Sequence, residues 1–170
     1  VKNLRDCNGN FILDEANQLS FALPENAVAG DVVINEILFN PKPNGVDFVE
    51  VYNVSEKYLN LKNWSLANVQ EQNIVNAKSI TQTDFILAPN TYYVFTSSKS
   101  TLITYHLNAI ESSVFETAIP SINDDSGSIA LVAEDGVVLD FFNYEDDYHS
   151  KLLKDKEGVS LERISVTDET

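Results

Sequence analysis

The sequence predicts an all-β protein built as an antiparallel β-sandwich with one short helix. Three observations carry this. Apolar residues recur with period two rather than 3.6, which is how a strand with one buried face reads. The periodic runs are short and bounded by Gly, Pro, Asn and Asp, the residues that turns demand. And 170 residues, 44% of them hydrophobic, suffice for one well-filled core but would be cramped as two large domains.

The clearest strands are 32–39, 47–53, 63–69, 91–97, 127–133, 137–143 and 160–164, and seven strands suit an immunoglobulin-like sandwich. Between the first two, Asn40-Pro41-Lys42-Pro43-Asn44-Gly45 can only be a loop, because proline removes donors and fixes φ while Asn-Gly tolerates positive φ. Residues 70–83 are polar and without a clear period, so they read as a long hairpin loop. After 97, Ser97 or Ser98 can cap a turn or two of helix through Thr101, Leu102, Ile103 and Tyr105, with β-branched residues weakening it. Residues 121–127 read Ser-Ile-Asn-Asp-Asp-Ser-Gly, a cluster whose side chains bond their own backbone and favour turns. Glu134-Asp135-Gly136 predicts a tight hairpin between 127–133 and 137–143, with Ile129 and Leu131 facing the core and Val138 or Leu139 opposite them.

The first 27 residues differ in kind: Asp6-Cys7-Asn8-Gly9-Asn10 is a turn between 1–5 and an apolar stretch ending in 19–23, and 24–30 read as linker. The organisation expected is a remnant of a preceding module over 1–27 and a sandwich domain over 28–170. The chain reads as a piece of a longer protein whose targeting signals lie outside it. No apolar run approaches the roughly 18 residues a membrane helix needs.

Charge narrows the partners. Asp and Glu number 26 against 11 Lys and Arg, a net charge of −15, so the long-range field repels nucleic acid and anionic lipid. Lys151, Lys154, Lys156 and Arg163 are interleaved with Asp155, Glu157 and Glu162, the pattern of a solvated mixed-charge loop. The single cysteine, Cys7, excludes an internal disulfide.

Chemistry-bearing residues are sparse. Asp124-Asp125, Glu134-Asp135 and Glu145-Asp146-Asp147 offer oxygen ligands suited to calcium, but none fits an EF-hand loop, and Gly9 interrupts the order that Asp6, Asn8 and Asn10 would need. His106 and His149 sit at unrelated positions, a poor start for a zinc or iron site. No Gly-x-Ser-x-Gly, His-Glu-x-x-His or P-loop string occurs. The expectation is no catalytic residue, no cofactor and no metal. Asn53-Val54-Ser55 and Asn63-Trp64-Ser65 match the glycosylation pattern; Trp64 and the Tyr92-Tyr93 pair can stack on a sugar, although a mid-strand Trp is more often core.

From Gly30 onward the sequence resembles the lamin tail domain family, in particular its bacterial, exported members. The resemblance rests on Val33-Ile34-Asn35-Glu36-Ile37 with Pro41, Asp47-Phe48-Val49-Glu50-Val51-Tyr52-Asn53, Leu61-Lys62-Asn63-Trp64-Ser65-Leu66, the stretch after Tyr93-Val94-Phe95, and Gly158-Val159-Ser160-Leu161-Glu162-Arg163-Ile164, so that it spans 30–165. Residues 1–23 are similar to the last hairpin of a bacterial Ig-like surface domain, Asp6, Gly9 and Asn10 fitting its turn. The resemblance implies a fold without a shared catalytic apparatus. It makes Glu36 and Glu50, a pair that could otherwise serve general acid/base chemistry, framework carboxylates with Arg163 as the expected partner. It implies a non-enzymatic structural or interaction module, extracellular or at the cell surface, whose partners are neighbouring modules and other surface proteins. The competing reading is an accessory domain binding carbohydrate or nucleic acid beside a hydrolase or nuclease.

Overall fold

A computed structural model describes residues 5–11 and 21–165. Among these residues eleven strands are formed: β1 (Val32–Leu38), β2 (Phe48–Asn53), β3 (Leu59–Asn60), β4 (Ser65–Gln70), β5 (Asn73–Ser79), β6 (Ile86–Leu87), β7 (Tyr92–Thr96), β8 (Val114–Glu116), β9 (Ser126–Val132), β10 (Val138–Glu145) and β11 (Leu161–Glu162). They make a five-stranded sheet, β11-β1-β2-β7-β8, a four-stranded sheet, β10-β9-β4-β5, and the small pair β3-β6. All pairings are antiparallel except β7 with β8. The all-β sandwich expected from the periodicity is what forms.

Period-two alternation places Val49 and Val51 of β2, Phe95 of β7, Leu66 of β4 and Ile129 and Leu131 of β9 in one core between the sheets, which Phe39, Leu59, Leu87, Leu139 and Tyr144 complete. Trp64 belongs to this core and is 4% exposed. A second, smaller cluster, Leu38, Phe48, Leu102 and Val114, lies where the helix α1 (Lys99–Tyr105) packs on β8 and the outer face of the large sheet. Ser98 is the helix cap, its side chain accepting from the Thr101 N–H.

The β9–β10 hairpin forms as predicted: Ala133 and Val137 close it, and Gly136 takes φ +86° at the position that needs a left-handed residue. Its register differs from expectation. Leu131 pairs with Asp140 and Ile129 with Phe142, because an irregularity between Val138 and Asp140 shifts the ladder. Residues 70–83 are not one long loop, for β5 pairs along β4 and the turn between them is short. Residues 24–30, read as linker, lie against the sandwich: Glu25 donates to the Tyr58 carbonyl, Gly30 to that of Leu139, and Lys57 holds Asp31 at 2.7 Å. The Asp6 turn is formed, with Arg5 bridged to Phe11 and the Asp6 carboxylate accepting from the Asn8 and Asn10 N–H groups. The rest of the expected N-terminal hairpin, 1–4 and 12–20, lies outside the described residues.

Candidate functional site: a carboxylate groove on the large sheet

Helix α1 packs on one part of the outer face of the large sheet. On β2 the alternation that buries Val49 and Val51 sends Phe48, Glu50 and Tyr52 outward. On β1 a bulge intervenes: Ile34 pairs with Val51 and Glu36 with Glu50, leaving Asn35 as the extra residue. The bulge turns both Asn35 and Glu36 to the outer face, where they line one groove with Glu50. Glu162 of β11 pairs with Glu36 from the other side. Three glutamates therefore stand in a row across three adjacent strands.

The groove, about 490 Å³, is walled by Leu102 and His106 of the helical segment and by Ala109 and Ile110. At one end Tyr52 and Tyr92 stack, ring centroids 4.1 Å apart, with Tyr92 well exposed. Glu50 accepts from the Asn35 amide at 2.9 Å and Glu36 accepts from the Ser160 hydroxyl. Burial raises the Glu50 carboxyl above its ordinary range; the Asn35 bond opposes this, while Glu36 and Glu162 push it further up. Among the described residues, no lysine or arginine pairs with any of the three.

Arg163, expected to latch Glu36 or Glu50, instead crosses to the other sheet. Its guanidinium meets Asp140 at 2.9 Å and its Nε donates to the Ile34 carbonyl. Asp140 in turn accepts from the Ile34 N–H at 2.7 Å, and the Arg163 N–H bonds the Asn35 carbonyl. The pair thus satisfies both backbone polar groups of Ile34. Asp140 escaped the sequence reading, although a carboxylate set inside Val137-Val138-Leu139-Asp140-Phe141-Phe142 was the available signal.

The other candidates disperse. His149 is buried, its ring between the Asp146 and Val159 carbonyls and against Phe39, whereas His106 packs edge-on to Phe48. Among the described residues no group of three or more His, Cys, Asp or Glu is arranged to hold a metal. Asp146 is engaged by Lys156, and Asn63 donates to Glu134 at 2.8 Å. Asn53 is fully buried, bonding the Lys57 and Ala88 carbonyls, which removes it as a glycan acceptor in the folded chain. Tyr93 packs on the core with Phe85; only Tyr92 of that pair faces the groove. Asp47 is set apart by environment: one carboxylate oxygen is sealed without a hydrogen bond, and burial, with Asp124 nearby, raises its pKa to about 6.

No helix among the described residues is long and apolar enough to cross a membrane. No curated protein matches the sequence. A family model described as Lamin Tail Domain matches residues 25–146, beginning at the residue whose N–H first bonds the sandwich and running past the end of β10. With most of its length so matched, and its strands arranged as an immunoglobulin-like sandwich, the chain belongs to the lamin tail domain family.

Proposed function

We propose that this chain is a non-catalytic interaction module of a multidomain bacterial protein, exported or displayed at the cell surface, where it follows an Ig-like module. In this reading the Glu36–Glu50–Glu162 groove holds a basic segment of a neighbouring module or another surface protein. The observation that carries it is the row of three carboxylates with no cation among the described residues to neutralise it, in a groove beside the stacked Tyr52–Tyr92 pair, of which Tyr92 is exposed. Like charges opposite one another across a sheet destabilise it, so the row makes sense where a cation completes it. A lysine or arginine laid there meets carboxylates along the floor and an aromatic face at the end. The apolar rim at Ala109 and Ile110 suits a flanking apolar residue.

The test is calorimetric titration with short peptides that alternate Lys or Arg with apolar residues, against acidic counterparts. Basic peptides are expected to bind and to weaken as ionic strength rises from about 0.01 to 0.15 M. The variant Glu36→Gln/Glu50→Gln/Glu162→Gln is expected to lose that binding with its melting temperature unchanged or raised. Undiminished binding in the variant refutes the reading. Tight binding to duplex DNA at ~0.15 M salt would favour the nucleic-acid accessory reading instead, against which the net charge of −15 argues.

A further inference from the structure

A second opening, about 510 Å³, lies at the end of the sandwich where the chain approaches β1, and it owes nothing to the carboxylate groove. It is lined by residues 24–27, by Asn60, Lys62 and Trp64, and by the base of the β9–β10 hairpin at 133–135. Its walls are fixed by backbone bonds: Glu25 to Tyr58, Trp64 to Leu61, Ile80 to Trp64, and Gly136 to Ala133.

Trp64 is the informative residue. A buried indole N–H usually finds an acceptor. Here the residue is 4% exposed, yet its Nε1 donates to no acceptor among the described residues, whose hydrogen bonds at this position are backbone ones. Among those residues only Asp47 Oδ1 is both sealed and unpartnered. The indole N–H therefore belongs to the small part of Trp64 still reached from outside, and Trp64 lines this opening.

Around it stand further groups with capacity to spare. Lys62 reaches Asp84 only at 3.7 Å, and the Glu25 carboxylate and Asn26 amide make no side-chain hydrogen bond among the described residues. Glu134 and Asp135 each spend one oxygen, on Asn63 and on the Val137 N–H. The set mixes three kinds of donor, indole, ammonium and amide, with three carboxylates. Three acids against one lysine repel an anion, and a cation offers the indole N–H nothing to bond. A neutral polyhydroxylated ligand satisfies both kinds of group, its oxygens accepting from Trp64, Lys62 and Asn26 while its hydroxyls donate to the carboxylates. Pro24, Ala27 and Ala133 supply small apolar patches for its C–H faces.

We infer that this opening, floored by the Trp64 indole N–H, is a binding site for a small neutral carbohydrate. Trp64 is the chain's single tryptophan, so one indole N–H resonance reports on the site directly. The experiment is a proton–nitrogen correlation titration of the whole chain with glucose, galactose, N-acetylglucosamine and their β-1,4-linked disaccharides, with glycerol and inorganic phosphate as comparison probes. At least one saccharide is expected to move the indole resonance saturably, by millimolar concentrations or below. Lys62→Ala and Asn26→Ala are each expected to weaken that binding at least several-fold with melting temperatures near that of the parent, and the Glu36/Glu50/Glu162 glutamine variant is expected to retain it. No saturable shift with any saccharide overturns the inference. So does a shift that glycerol reproduces at the same concentrations, or one produced by phosphate and not by sugars. Loss of the groove's peptide binding leaves this result untouched, so the two readings fail separately.

Discussion

Removing the Arg163 side chain tests the tie between the two sheets. The Arg163 and Asp140 side chains are 7% and 17% exposed, so the pair is partly desolvated and worth more than a surface ion pair. In Arg163→Met the alkyl stem survives, but Asp140 keeps the Ile34 N–H without its guanidinium partner, and the Ile34 carbonyl loses the Nε donor. Stranding one partner of a buried pair costs about 3 to 5 kcal/mol. The surviving backbone bond places this case at the low end, about 3 kcal/mol, which lowers the melting temperature by roughly 6 to 12 °C in a chain of this size. Urea unfolding followed by Trp64 fluorescence measures it, provided the slope is unchanged. The pH dependence separates charge from packing. Burial raises the Asp140 carboxyl above its ordinary range despite Ile34 and Arg163, so its ionised form is a net cost to the fold. Such a contribution is present below the unfolded value and lost as pH rises through the folded one. Without Arg163 the folded value rises further, so the deficit of Arg163→Met should shrink between pH 7 and about 4.5. A deficit below about 1 kcal/mol at pH 7, or one that does not change with pH, refutes the electrostatic account.

Three other outcomes are expected. Trp64→Ala should cost about 3 to 5 kcal/mol in chemical denaturation through lost burial and the cavity left behind, and an unchanged melt would take Trp64 out of the core. Asp47, with its carboxyl raised to about 6, lowers stability as pH rises from the unfolded carboxylate range through that value; Asp47→Asn should therefore melt higher at pH 7, by about 1 kcal/mol after allowing for its partial exposure, and match the parent near pH 4. Gly127→Ala would put a Cβ 2.4 Å from the hydroxyl of buried Tyr144, and should destabilise by about 1 to 3 kcal/mol, visible as a lower urea midpoint.

The sequence was legible where burial on one face imposes a period, and illegible where it does not. The runs that became β1, β2, β4, β7, β9 and β10 each put apolar side chains into the core. β5 escaped because it is an edge strand with exposed or half-exposed side chains, and Asn73 and Asn76 leave no apolar alternation to see. β3 and β6 are two-residue strands, too short to carry a period. The linker at 24–30 is held by backbone bonds, which side-chain chemistry does not reveal. In the groove, Glu36 and Glu50 were visible as neighbours, but the bulge at Asn35 and the position of β11 beside β1 were not, and these bring Glu162 in and send Arg163 away. The Arg163 partner lies on the opposite sheet, at a sequence distance no local pattern encodes.

The route of the backbone has a mechanical consequence. Gly30, just before β1, bonds the Leu139 carbonyl, and Arg163, just after β11, bonds Asp140 one residue on. The start of β1 and the end of β11 are therefore anchored side by side, on two neighbouring residues of one strand. A pull on the flanking polypeptide does not stretch the sandwich along its length or load the β1–β11 ladder in shear. Once the Glu25–Tyr58 and Lys57–Asp31 contacts have yielded, it draws the two strands apart from their shared end, so the bonds carry the load one after another. A sandwich loaded at one shared end bears little tension and adds little reach between the two segments that flank it.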